Sequence, residues 1–480
     1  MSRRPSEVRK AADAPRWHEQ AEVVVVGLGA AGASAAIEAT ARGAEVLVLE
    51  CTSGGGGTSA TSHGQLYLGG GTPIQKACGF DDSSEEMFKY LVASCGPGPD
   101  EEKIRLFCEH SVEHFAWLEA TGVPFKESFF AEGTDPTTDD CLSYTGNELA
   151  HPWREIARPA PRGHTVKQAG QSGGVLMQHL LGAVQRAGVR VLPDTRCETL
   201  VVDTERAVVG AVVRSAGEER WVRATRGVVL TTGGFIQNPE MVARYAPLLQ
   251  QCTPVGCETD DGSGIRMGIG AGAAAIRMES GLVVLPFVSP VGLRRGVLVN
   301  RQGLRFVNED VYQARAGEVA VYGQDGDVWL IVDDAIFERT DMPSVVAAVG
   351  EDMAELEAEL GIPDGSLQAT IQRYNDDAAR GEDPCFHKAP EYLTPLVHPP
   401  YAALGCGESE RSTTFSLGGL HTRPNGQVLT PDGRDVPGLF AAGATASGLA
   451  ARGYNSGISL SDATFFGRQA GARAARGTPR

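Results

Sequence analysis

The stretch AEVVVVGLGAAGASAAIEATARGAEVLVLE, residues 21–50, constrains the fold more than any other part of the chain. Its four consecutive valines suit a strand buried on both faces. A Gly-rich turn follows, then a small-residue helix over 30–42, then an apolar run over 45–49 closed by an acid. Each residue type in this βαβ unit has a physical task. Gly27 permits the tight turn, Gly29 lets a pyrophosphate approach the backbone where Ala30 and Ala31 open the helix, and Gly32 lets helix and strand pack closely. Glu50 stands where it can hydrogen-bond a ribose 2′-OH. A plain crossover with glycines serving only the turn is the alternative. Strand, turn, helix, second strand and terminal acid at one spacing favour a dinucleotide.

With 480 residues, 60 of them Gly, and 42% hydrophobic side chains, the chain has material for a large core and for two domains. Lys and Arg number 43 against 60 Asp and Glu, and the net charge of −17 repels phosphate backbones and anionic lipid surfaces, so no nucleic acid partner is expected. The basic leader MSRRPSEVRKAADAPRW has no apolar stretch behind it and reads as a flexible arm over residues 1–20. The most apolar run, residues 23–37, is broken by three glycines and is too short to span a bilayer, so no integral membrane segment and a cytoplasmic location are expected. Ten cysteines are scattered without a CxxC pair, which suggests neither a metal site nor a disulfide framework. Cys51 and Cys197 are the two placed to touch a cofactor, through their backbone.

A second Gly-rich strand and helix lie near the other end, in VPGLFAAGATASGLAARGYNSGISLSDATFFGRQAGARAA, with a strand over 438–442 and a helix from about Ser459. Two such units at opposite ends of a chain fold onto one cofactor. The arrangement resembles the two-dinucleotide-binding-domain flavoproteins of the fumarate reductase and succinate dehydrogenase superfamily. GGGTSATSHG, residues 55–64, is similar to that family's loop beside the flavin, with His63 where the pattern has Gly. VVLTTGGF, residues 228–235, and TDDGSGIRMG, residues 259–268, match two more of its segments. The resemblance implies an α/β, Rossmann-like FAD fold and noncovalent FAD. It also implies cofactor contacts from Gly57, Thr58, Ser59, Ser62, His63, Gly64, Thr232, Gly233, Asp261 and Gly443, beside those of the βαβ unit and the two cysteines. Ser459 and Leu460 would offer helix N-terminal N–H groups to the N1/O2 edge of a reduced flavin.

Between these segments, residues 81–121 show helical periodicity and 182–229 read as a helix end followed by short strands. Residues 276–408 interrupt the nucleotide fold, with strands at LVVLP, GVLVN and VWLIVD and helices at PSVVAAVGEDMAELEAEL and SLQATIQRYNDDAARG. The expected division is an FAD-binding domain over 21–275 and 409–480, with an inserted α+β catalytic cap over 276–408.

The dicarboxylate reductases of the superfamily carry a His-Gly pair and an Asn-Arg-Leu triplet in their C-terminal loop, and this chain has GLAARGYNSGISL there instead. That loop is similar to the one in 3-ketosteroid Δ4-(5α)-dehydrogenases, where a Tyr-x-Ser pair lies beside the flavin and a second tyrosine follows an RxxNED-like stretch. Tyr454, Ser456 and, in GLRFVNEDVYQAR, Tyr312 occupy those positions. By this resemblance Ser456 takes a C4 proton with Tyr312 assisting, and C5 loses a hydride to the flavin. Tyr454 and a backbone N–H near Gly457 or Ile458 hold the ketone oxygen. The implied partners are an apolar ketone, a steroid foremost, and an electron acceptor. Two other readings stand beside it. One is another enone reductase or dehydrogenase of the superfamily, fumarate-reductase-like or Δ1-specific. The other is a flavin carrier without turnover, in which Ser456 is a helix cap and both tyrosines are packing residues.

Overall fold

The structure, a computed structural model, describes residues 7–324 and 326–477. Its centre is a nine-stranded sheet made of β1 (Arg9–Lys10), β2 (Glu19–Val26), β3 (Val46–Leu49), β4 (Arg190–Leu192), β5 (Thr195–Val202), β6 (Val208–Ser215), β7 (Glu218–Leu230), β8 (Gln427–Leu429) and β9 (Asp435–Ala441). The order along it is β1-β5-β6-β7-β2-β3-β4, with β9 also on β7 and β8 on β9. In the valine run of β2, Val23 to Val25 are fully buried, as a central strand with covered faces requires. Val23 pairs with Val46 and Val26 with Leu49 in parallel register, so the turn after β2 and the acid after β3 finish at the same sheet edge.

Helix α1 (Ala30–Ala41) crosses between them. Its composition matters less for helix propensity than for approach distance: it packs against the C-terminal helix, in which Gly467 and Gly471 face α1 so closely that a Cβ would lie 2.4 Å from the Ala31 carbonyl oxygen and 2.1 Å from that of Ala35. That contact joins the two Gly-rich units at the chain's ends. β9 completes the union by pairing in parallel with the last residues of β7, Val228 with Leu439 through Leu230 with Ala441.

Helix α2 (Ser84–Ser94), whose N-terminus is capped by the Ser83 hydroxyl accepting from Glu86 N, begins an all-helical excursion that continues through Glu101–Glu109 and Ser111–Thr121. Within 276–408 lies a four-stranded antiparallel sheet ordered Val297–Asn300, Val328–Asp333, Tyr401–Gly405, Val345–Gly350. Met353–Leu360 packs on its Val345–Gly350 and Tyr401–Gly405 strands and against Ser366–Ala379, while helix α3 (Gln313–Gly323) packs on the strand Gly281–Val284. A small sheet of Thr253–Pro254, Thr413–Ser416 and Gly281–Val284 runs across both expected cap boundaries and ties cap to cofactor sheet. The last helix, α4 (Ile458–Ala475), returns to the cofactor sheet.

Two local expectations are corrected. Residues 345–350, expected to be helical, form the edge strand beside Tyr401–Gly405. Their β-branched valines fit a pleated surface, and the helix starts only after the Asp352 cap. The arm also differs from a frayed tail. β1 lies parallel on β5, Glu19 and Gln20 already belong to β2, and Trp17 meets Trp221 edge-on with ring centroids 6.1 Å apart. Residues 1–6 of that expected arm lie outside the described residues. Among the described helices, none is long and apolar enough to cross a membrane.

Candidate active site

The strand ends and glycine-rich loops of both terminal units open on one cavity of about 560 Å³. At one end stands Glu50, whose Oε2 accepts the Leu28 N–H at 2.8 Å and whose Oε1 accepts the Thr52 N–H at 2.9 Å. Cys51, Arg196 and Cys197 share that end of the wall. Burial and the Glu50 charge push the Cys51 thiol up to about 11, so it stays neutral. The middle is the turn after β2. Gly27 has φ +96° and a Cβ there would fall 2.4 Å from the Thr231 carbonyl oxygen. Gly29, by contrast, has only Ser59 Oγ at 3.6 Å and Gly56 O at 3.8 Å near its missing Cβ, which leaves its cavity side clear for a ligand. Helices α1 and α4 both point their N-termini at the cavity, so two sets of helix-end N–H groups face whatever binds.

The expected cofactor residues Gly27, Gly29, Ala30, Ala31, Glu50, Cys51, Gly57, Thr58, Ser59, Ser62, His63, Gly64, Cys197, Thr232, Gly233, Gly443, Ser459 and Leu460 all line this cavity. Two do not. Gly32 sits behind the wall, where its missing Cβ would be 2.0 Å from the Gly27 carbonyl oxygen, so it serves the packing of α1. Asp261 pairs with Arg196 and accepts from Ser263 N at 2.9 Å, while its neighbour Asp260 is the one on the wall, bonded by Thr58 Oγ1 at 2.6 Å. The helix cap at Gly262 turns successive side chains in different directions, which one-residue pattern matching does not resolve.

At the opposite end Tyr312, Tyr454, Ser456 and Gly457 share one wall. They come from two elements with different supports. Tyr312 is the N-cap of α3, delivered by a stretch anchored through a buried ion network. Arg305 binds Glu309 at 2.8 Å and Asp383 at 2.9 Å, and Lys388 reaches Glu309 at 3.2 Å. Glu309 also accepts the Leu298 N–H, so Arg305 and Glu309 fix the segment rather than facing the cavity. Tyr454 and Ser456 precede α4, where Gly457 takes φ +90° and a Cβ would lie 2.8 Å from the backbone of Leu66 and Tyr67. Phe415 meets Tyr454 edge-on at 5.5 Å. Burial raises both tyrosine hydroxyls above their ordinary range, although a hydrogen bond with Ser456 pulls Tyr312 back and bonds with Ser459 pull Tyr454 back.

Around these polar groups the wall is apolar: Leu282, Val284, Met342, Phe415 and Leu417. Among the described lining residues the only arginine is Arg196, at the far end, and the only histidine is His63. His421 is not on the wall, and His164 is buried between Thr72 Oγ1 and the Arg162 carbonyl, with burial pushing it down to about 4. Asp135 escaped the sequence reading. It lies on the wall, its Oδ1 is buried without a hydrogen-bond partner, and its charge raises both Tyr312 and Tyr454. Asp260 and Phe415 were missed too: Asp260 stands beside the expected Asp261 in the 259–268 segment, whereas no local motif marks Asp135 or Phe415.

The cysteines are all free thiols, and among the described residues no cluster of His, Cys, Asp or Glu could hold a metal ion. A cavity with an acid, a glycine cradle and helix N-termini on its wall fits FAD in its donor set.

Comparison with known proteins bears on the same point. Residues 22–460 match the family described as FAD binding domain. The 3-oxo-5-alpha-steroid 4-dehydrogenase of Comamonas testosteroni is 30% identical, over 90% of this chain and 94% of that one. The crystal structure of 3-ketosteroid-delta4-(5alpha)-dehydrogenase from Rhodococcus jostii RHA1, in complex with 4-androstene-3,17-dione, is 45% identical and superposes with a TM-score of 0.93, covering 98% of this chain and 100% of that one. The open conformation of a flavocytochrome c3 fumarate reductase is 26% identical with a TM-score of 0.66, over 96% of this chain and 79% of the other. From cradle, topology and relatives together, the chain belongs to the FAD binding domain family and is an FAD-dependent oxidoreductase.

Proposed function

We propose that the protein introduces the C4–C5 double bond into 3-oxo-5α-steroids. The observation that carries this reading is the wall that holds Tyr312, Tyr454 and Ser456 in apolar surroundings without a cationic clamp. A dicarboxylate would need arginines or histidines there, whereas a fused-ring ketone needs apolar area and one or two donors for its oxygen.

FAD, held by the turn at Gly27 and Gly29, by Glu50 and by the N-termini of α1 and α4, would supply the two-electron acceptor for the hydride that leaves C5. The chain's own groups manage the proton and the oxygen. Neutral Tyr454, kept so by burial, donates to the C3 oxygen where negative charge develops as the C4 proton leaves. Of the two backbone donors expected beside it, Ile458 N–H is bonded to the Asn455 carbonyl at 3.1 Å, which leaves Gly457 N–H for the role. Ser456 Oγ receives the C4 proton while its own proton passes to Tyr312, since a serine hydroxyl needs a partner to act as base. Tyr312 hands its proton onward to Asp135. The electron pair of the C4–H bond becomes the new double bond as the hydride leaves C5. The ten free thiols fit a reducing, cytoplasmic compartment.

The test is an anaerobic titration of the yellow protein with 5α-androstane-3,17-dione, the 4,5-dihydro form of the steroid bound by the Rhodococcus relative. Stoichiometric bleaching of the visible flavin band, with a 4-ene-3-one formed, is expected. An unbleached flavin that, once reduced with dithionite, is reoxidised by fumarate instead would overturn the reading.

A pH profile gives a second check. The hydroxyls of Tyr312 and Tyr454 act as neutral donors and are held above the ordinary tyrosine value, so ionisation sets in only as pH rises past about 10. The bleaching rate should therefore show no tyrosine-dependent fall below that pH. An alkaline loss centred near 9, absent in Tyr454→Phe, would contradict it.

A further inference from the structure

Behind the wall, three segments far apart in sequence meet at one phenol. Tyr90, on α2, is 1% exposed, and its hydroxyl donates to Asn455 Oδ1 at 2.6 Å. The Tyr90 hydroxyl oxygen itself accepts the Asn147 N–H at 2.6 Å. The Asn147 side chain in turn accepts the Tyr312 N–H at 2.9 Å through Oδ1. Asn455 lies between Tyr454 and Ser456 and is clamped from its other end by Nδ2 donating to Ser94 Oγ at 2.9 Å. Ser456 N–H donates to the Thr145 carbonyl at 2.8 Å. One hydroxyl therefore bridges the loop that carries Tyr454 and Ser456 to the residue that bonds the backbone of Tyr312.

The bridge is built rather than incidental. Asn455 and Asn147 are buried, and Tyr90 is stacked on Tyr67 with ring planes 13° apart and faced by Arg162 at 5.3 Å, so its ring is packed from two sides. Gly146 makes the meeting sterically feasible: a Cβ there would lie 2.1 Å from Asn455 Oδ1 and 2.3 Å from the Tyr90 hydroxyl. None of Tyr90, Asn147 and Asn455 lines the cavity.

We propose that the Tyr90 hydroxyl, through Asn147 and Asn455, is the positioning group that sets Tyr312 in register with the Tyr454–Ser456 loop. This rests on the proton-transfer roles given above to Tyr312 and Ser456. Removing the hydroxyl leaves donor and acceptor of the bridge unpaired and lets the two segments drift, and a misplacement of about 1 Å can cost about a hundredfold in rate. The ring of Tyr90→Phe still fills its place, so the flavin site is untouched.

The experiment compares FAD-loaded wild type, Tyr90→Phe, Ser456→Ala and the double variant by anaerobic single-turnover bleaching with 5α-androstane-3,17-dione. Tyr90→Phe is expected to slow bleaching about 10- to 100-fold, with the steroid's apparent Kd, the visible flavin spectrum and FAD occupancy close to wild type. In the Ser456→Ala background the same substitution should change the rate less than threefold, because the hydroxyl against which Tyr312 is set has gone. Asn147→Ala, which removes only the link to Tyr312, should also slow bleaching and provides the answer if Tyr90→Phe loses flavin on purification. A Tyr90→Phe enzyme with wild-type rate per bound flavin, or one whose loss is multiplied in full in the Ser456→Ala background, would overturn the positioning role. Ser456→Ala at wild-type rate identifies the other failure: it removes the proton-transfer reading itself and the positioning role with it.

Discussion

Ser456→Ala, purified with its flavin, is expected to bleach about a thousandfold more slowly with 5α-androstane-3,17-dione than the wild type, because a positioned proton acceptor contributes on the order of 10²–10⁴ to such a step. Tyr454→Phe should lose about 10²–10³, the usual effect of deleting one donor at a developing oxyanion. Phe415 meets the Tyr454 ring edge-on, so Tyr454→Phe keeps that ring packing and removes the donor. Tyr312→Phe should fall between these and a milder Asp135→Asn, since Asp135 acts only after the proton has left the steroid carbon and water can replace it. The order of the four effects is the informative part. Full bleaching rate in Ser456→Ala, or a larger loss in Asp135→Asn than in Ser456→Ala, would reject the proton route from C4 through Ser456. Each variant should keep its visible spectrum and melting temperature, because none of the four side chains supports the glycine cradle in the middle of the cavity.

What the sequence made legible divides along a physical line. The terminal βαβ unit and its distant counterpart are readable because close approach leaves a compositional trace. A helix that must touch a strand end or another helix backbone-to-backbone is written in Gly and Ala, as α1 and α4 are, and the positions of those glycines report the geometry directly. Tyr454 and Ser456 are readable as a neighbouring pair on one loop, and Tyr312 through its similarity to a patterned stretch. The stretch's own logic, the Arg305–Glu309–Asp383–Lys388 network, contains partners from 78 and 79 positions away and has no local signature. Asp135 and Phe415 reach the wall from a loop and a short strand whose sequences have no reason to look functional. Asp260 and Asp261 are adjacent acids of which one faces the cavity, and only the backbone turn at Gly262 decides which. Residues 345–350 were misread because an alanine- and valine-rich run suits helix and edge strand alike, and tertiary pairing with Tyr401–Gly405 settles it. The Tyr90 bridge is the extreme case, with partners 57 and 365 positions apart.

Two glycines of the first turn should fail in different ways when each becomes alanine. At Gly32 the new Cβ would meet the Gly27 carbonyl oxygen at 2.0 Å and Thr231 Oγ1 at 2.8 Å. The first of these is backbone, and Gly27 is itself pinned against Thr231 with φ +96°, so the clash is relieved only if α1 moves off β2. Overpacking of this kind costs about 1–3 kcal/mol or more, and here it also displaces the helix N-terminus from the cavity. Gly32→Ala is expected to purify colourless, with a melting temperature several degrees low that added FAD does not restore. At Gly29 the same methyl meets nothing closer than 3.6 Å in the protein, an ordinary contact, so the flavin-free fold should be unaffected. It projects where Gly29 lines the cavity, and it should weaken FAD binding at least tenfold while leaving the melting temperature of the flavin-free protein unchanged. Gly54→Ala, in the neighbouring loop with nothing within 4 Å of the added Cβ, serves as the silent control. Thermal melts of the three variants with and without FAD separate the outcomes. If Gly29→Ala and Gly32→Ala melt alike and bind FAD alike, the division between a packing glycine and a ligand-facing glycine is wrong, and the turn acts as a single unit in which any side chain has the same consequence.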